Sequence, residues 1–208
     1  EYFTNMIDLI CAMNNLESLV LPELPNLLYL QCQLNQLEVL DVSLTENLML
    51  LEAEMNNLHT ITFHPNSQLY SINLRYNNFV AFDSSGLSQL AVLFINQNSL
   101  EQLNVSESSN LISLQCQYNN LTTLNLSGLP NLAGIMCNNN QLTNLELNEL
   151  QNLIALECQN NQLVQMDVSD SPLLEYAFFE NNNLVELNLK NGGNESASFS
   201  GNPNLSYI

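Results

Sequence analysis

Asn26-Leu27-Leu28-Tyr29-Leu30-Gln31-Cys32-Gln33-Leu34-Asn35-Gln36-Leu37 and Asn110-Leu111-Ile112-Ser113-Leu114-Gln115-Cys116-Gln117-Tyr118-Asn119-Asn120-Leu121 share one spacing, L-x-x-L-x-C-x-x-N-x-L. Working outward from either segment, the same frame returns every 21 residues, from the first residues to about Leu189, which makes nine units. One column reads Asn14, Asn35, Asn56, Asn77, Asn98, Asn119, Asn140, Asn161 and Asn182. Another reads Leu16, Leu37, Leu58, Phe79, Leu100, Leu121, Leu142, Leu163 and Leu184. A period of this length marks units that stack, because one such unit cannot bury its own apolar stripe.

The run around each Leu-x-Cys alternates inward and outward, as a strand requires. Coils about 4.8 Å apart then lay like on like in a parallel sheet, and nine of them span roughly 43 Å. The second half of each unit alternates too, as in Leu37-Glu38-Val39-Leu40-Asp41-Val42-Ser43. Short strands or extended turns are therefore expected there, with little or no α-helix. Segments such as Ser127-Gly128-Leu129-Pro130-Asn131 are too short and too rich in turn residues for helix. The asparagine column reads as structural, since a short amide carries both a donor and an acceptor for backbone groups that a turn leaves unpaired. The cysteines Cys11, Cys32, Cys116, Cys137 and Cys158 share one register with Ala53, Leu74, Ile95 and Phe179. A register that accepts Leu and Phe is core, so these thiols are expected buried and reduced. Stacked side chains pointing the same way are poorly angled for disulfides.

These columns resemble the leucine-rich-repeat family over essentially the whole chain. The 21-residue unit with two half-units looks like the bacterial nested subtype, and the cysteine column is similar to that of cysteine-bearing internalin-like surface proteins. The resemblance implies a curved, right-handed superhelix with the parallel sheet on its concave face, binding on that face, and display on or secretion from a bacterial cell. The chain then reads as a single domain over 1–208, with coils to about 189, a polar insertion at 190–198 and a partial closing repeat at 199–208.

The ends are open. Glu1-Tyr2-Phe3-Thr4-Asn5 is no signal peptide, and a cap is supplied either by these residues or upstream. The chain reads as part of a longer precursor. Net charge is −19, with 21 acidic residues against one Lys and one Arg. That balance excludes nucleic acid as a partner and disfavours anionic lipid surfaces. No apolar run is long enough for membrane insertion as a helix.

With the inward columns fixed, the outward ones define a candidate ligand surface: Tyr29, Gln31, Gln33, Arg75, Tyr76, Phe94, Asn96, Gln115, Gln117, Tyr118, Glu157, Gln159, Tyr176 and Phe178. Aromatic side chains among amides with few charges suit a protein interface or sugar rings. The same ladders also stabilise a sheet without any ligand. No catalytic residue, metal site or cofactor is assigned. His59 and His64 share no column, and the convex Asp41, Thr62, Asp83, Asn104, Asn125, Glu146 and Asp167 do not converge as calcium requires. The sequence thus points to a monomeric, extracellular or surface-borne recognition module for a protein or glycan, not an enzyme. The alternative is a passive spacer in a larger surface protein.

Overall fold

A computed structural model describes residues 5–193 and 196–208. Ten three-residue strands build one parallel sheet: Asp8–Ile10, Tyr29–Gln31, Leu50–Glu52, Ser71–Asn73, Val92–Phe94, Ser113–Gln115, Gly134–Met136, Ala155–Glu157, Tyr176–Phe178 and Ser196–Ser198. Each strand pairs in register with its equivalent one coil on, as Ser113 does with Gly134 and Leu114 with Ile135. The middle residue of each strand points inward. Leu30, Leu51, Ile72, Leu93, Leu114, Ile135, Leu156 and Ala177 are all buried, and the cysteine register follows two positions later. Together with the leucines of the second half-unit they form one continuous core along the stack.

The second halves pair only in places. Val39–Val42 runs parallel to Thr60–Phe63, Ala81–Asp83 to Gln102–Asn104, and Gln165–Asp167 to Glu186–Asn188. Elsewhere this side is turns, and no helix occurs among the described residues. The asparagine column clamps successive coils. Asn119 Nδ2 donates to Ile95 O (3.2 Å) and Cys116 O (3.0 Å), and its Oδ1 accepts the Leu100 N–H at 2.9 Å. Asn35, Asn56, Asn77, Asn140, Asn161 and Asn182 repeat the pattern. Asn14, by contrast, is exposed and bonds carbonyls of its own coil.

One expectation is corrected. The stretch 190–198 is not an insertion between coils. Ser196 pairs with Tyr176, a step of 20 residues, so the tenth coil is one residue shorter than the others. Asn202 then takes the clamp position, donating to Phe179 O and Phe199 O and accepting the Leu184 N–H. Tyr207 bridges to Glu186, which makes the final residues the second half of that coil. A lost residue shifts the Gly- and Ser-rich text out of frame, so it reads as an insertion while the backbone still stacks. The capping role considered for the first five residues falls mostly on 1–4, and part of the supposed insertion on 194–195; both lie outside the described residues.

Candidate functional site

The strands turn their first and third residues away from the core, onto one long face. Tyr29, Tyr76, Tyr118 and Tyr176 are exposed there. Gln31, Gln33, Arg75, Phe94, Gln115, Gln117, Glu157, Gln159 and Phe178 are half-buried, and Asn96 is buried at 6% exposure. All lie on the same side of the sheet, but they extend over many coils and line no enclosed pocket. The tightest cluster spans three coils. Asn73 Nδ2 donates to Glu52 Oε2 (2.7 Å), Arg75 Nε donates to Asn73 Oδ1 (3.0 Å), and the Arg75 guanidinium lies 5.5 Å from the Phe94 ring centroid. Sequence reading placed Arg75 and Phe94 on one surface but missed their bonding with Asn73 and Glu52.

It also missed the backbone. Met13, Leu34, Met55, Tyr76, Gln97, Tyr118, Asn139, Asn160 and Asn181 all have φ between 54° and 57°, the left-handed region. The reason is local. Just past the strand the chain must turn while its N–H still reaches the next coil, as Leu34 N does to Glu54 O and Tyr118 N to Asn138 O, each at 3.0 Å. A residue other than Gly is strained there by roughly 1–2 kcal/mol, least so for Asn. Asn139, Asn160 and Asn181 obey that preference, and Gly201 takes the equivalent place in the tenth coil, where a Cβ would collide with Asn181 Oδ1. Those three Asn and the Gly were the signal in the sequence. Five of the six earlier coils depart from it with Met13, Leu34, Met55, Tyr76 and Tyr118, an exposed apolar ridge of 38–76% exposure that Gln97 interrupts between the two tyrosines.

Beside the ridge runs a second unusual column. Gln33 Oε1, Glu54 Oε2, Asn96 Oδ1, Gln117 Oε1, Asn138 Oδ1, Gln159 Oε1 and Glu180 Oε2 are buried acceptors without a hydrogen-bond partner. Burial raises the Glu54 carboxyl above the usual carboxylate range, aided by the neighbouring Glu52, with Arg75 opposing. Seven unpartnered acceptors share one register, in which Arg75 is the cationic member, so the pattern belongs to the face and not to one side chain.

The remaining chemistry is quiet. The five cysteines are free, four of them buried and Cys11 partly so. Burial pushes the Cys116 thiol up to about 12, and burial with the nearby Cys11 and Glu54 does the same to Cys32. Thiols held this protonated are poor nucleophiles. His59 Nδ1 meets Thr60 Oγ1 at 3.0 Å, and His64 Nδ1 accepts the Asn66 N–H. On the far side, Asp83 and Asp167 close turns by accepting from Ser85 and Ser169, which holds both carboxyls below their usual range. No group of three His, Cys, Asp or Glu among the described residues is placed to hold a metal. A hollow of about 460 Å³ on that side is lined by Thr123, Asn125, Ser127, Asn144, Glu146 and Glu149, with no nucleophile–base pair.

Compared with solved structures, the chain is similar to the functional domain of InlJ from Listeria monocytogenes, described as including a cysteine ladder. The two share 30% identity and a TM-score of 0.91, over 99% of this chain and 46% of that one. The chain is a leucine-rich-repeat solenoid with 21-residue coils and a cysteine column, of the bacterial type. Two further leucine-rich-repeat structures share the fold. YopM from Yersinia enterocolitica aligns with TM-score 0.71 at 22% identity, over 97% of this chain and 50% of that one. A leucine-rich-repeat protein of Leptospira interrogans aligns with TM-score 0.70 at 23% identity, over 88% of this chain and 54% of that one. This leucine-rich-repeat chain thus spans about half the length of these relatives. No protein-family model and no curated protein matches it. The similar structures support a protein-interaction module in general terms. No helix among the described residues is long and apolar enough to cross a membrane.

Proposed function

We propose that the chain is a recognition module of a secreted or surface-displayed bacterial protein, and that it docks a partner protein on the face of the ten-stranded sheet. The single observation that carries this is the ridge Met13, Leu34, Met55, Tyr76 and Tyr118: large apolar side chains, exposed, on backbone that favours Asn or Gly. A sheet that needed only stability would carry Asn there, as its own later coils do. The half-buried Phe94 and the exposed Tyr29 and Tyr176 widen the apolar area on the same face. Rigid aromatics amid amides are the usual composition of a protein-binding surface.

An array of bacterial and host surface proteins and glycans tests the proposal. Saturable binding to a protein spot should weaken about tenfold or more in a Phe94→Ala/Tyr118→Ala double variant. Equal binding by wild type and variant sinks the docking face. A signal confined to glycans sinks the protein partner.

A further inference from the structure

We infer that the partner is a cationic polypeptide segment, its Lys and Arg side chains meeting the acceptor column while its apolar side chains pack on the ridge. This rests on the docking face proposed above and names the chemistry of its occupant.

Three features converge on it. The first is the acceptor column itself. Glu54, Asn96, Gln117 and their equivalents present oxygens that nothing in the chain satisfies, and the two asparagines of the set, Asn96 and Asn138, are each 6% exposed. The terminal torsion of an amide or carboxylate is soft, so a turn about it brings such an oxygen to the surface when a donor arrives. Donors brought by a partner satisfy these oxygens, and Lys and Arg bring donors only. The second feature is charge. The chain carries −19 with two cationic side chains in all, and Arg75 is already held by Asn73 and Phe94. Phosphate, sulfate and carboxylate ligands are repelled by that field, whereas a basic segment is drawn in. The third is adjacency. Three of the acceptors precede a ridge residue by one position: Gln33 precedes Leu34, Glu54 Met55 and Gln117 Tyr118. A bound segment therefore meets polar and apolar rows side by side, so basic and apolar residues must be interleaved in it. Charge alone does not satisfy the face.

The test is selection of phage-displayed random dodecapeptides on the intact chain at about 0.15 M salt, where only close charge pairs survive screening. Counter-selection uses Tyr76→Asn/Tyr118→Asn. Asn is this chain's own choice at that register, so the variant keeps the fold, which circular dichroism verifies. Expected are enriched peptides of net positive charge with interleaved apolar residues. Synthesised, the best of them should bind wild type saturably. It should lose about tenfold or more in the Tyr variant, and as much in Gln117→Arg, a substitution with a precedent at that register in Arg75. Enriched peptides that are neutral or acidic, yet lost in the Tyr variant, overturn the cationic partner and leave the docking face standing. Basic peptides bound equally by both proteins overturn it as well, since bulk charge then suffices. If no peptide distinguishes the two proteins, the docking face falls too.

Discussion

Asn119 shows how much rests on single side chains. Its amide uses both donor hydrogens and its oxygen on backbone groups of two coils, and it is 8% exposed. Replacing it by Ala leaves a buried N–H and two carbonyls short of partners. At about 1–3 kcal/mol for each unsatisfied group, Asn119→Ala should lower stability by about 3–5 kcal/mol, read from urea unfolding. Asn14 has the same place in the repeat but is exposed and bonds carbonyls of its own coil. Asn14→Ala should therefore cost less than about 1 kcal/mol. Equal losses at the two positions would show that the amide acts through turn propensity and not as a clamp between coils.

At the scale of the element, the cysteine column behaves as a stack of protonated groups. Cys116, Cys137 and Cys158 lie in consecutive coils, all fully covered, with thiols raised above the ordinary 9.0 by burial. A folded-state pKa above the unfolded one means that the folded chain binds more protons as pH rises past 9. The stability these thiols contribute is whole below that pH and drains away as pH climbs toward about 12, the value for Cys116. Urea midpoints should therefore fall between about pH 8 and pH 11. The fall should be shallower in Cys116→Ala/Cys137→Ala/Cys158→Ala, since Ala53 already occupies this register in another coil. Tyrosine ionisation is common to both proteins, so identical slopes would refute the thiol account. The column itself was plain in the sequence, because burial and spacing alone fix it. So were the clamp and the parallel stacking, each a repeated residue type with one physical job. Two things were hidden. The left-handed turn after each strand is masked by Met, Leu and Tyr in the earlier coils, so only Asn139, Asn160, Asn181 and Gly201 betray it. The donorless oxygens depend on how Gln33, Glu54 and their equivalents fold against the coil, which no periodicity encodes.

The whole molecule is a one-dimensional stack with a heavy negative charge, and those two properties meet in its response to salt. Each coil touches only its neighbours, so stability is close to a sum of nearest-neighbour interfaces, and any force acting along the axis adds over the full length. Repulsion is such a force. At 10 mM salt the screening length is about 30 Å, comparable to most of the stack, whereas at about 0.15 M it is about 8 Å and reaches scarcely two coils. The net charge of −19 therefore opposes folding most in dilute buffer. The melting temperature should rise by several degrees from about 10 mM to 0.5 M sodium chloride, with most of the gain complete by about 0.15 M, as screening requires. A rise that stayed linear to high concentration would instead report exclusion of salt from apolar surface. A melting temperature independent of salt would show that the acidic residues are already neutralised by local bonds, such as those Ser85 and Ser169 make to Asp83 and Asp167. In that case the same field would be too weak to draw a basic partner onto the sheet.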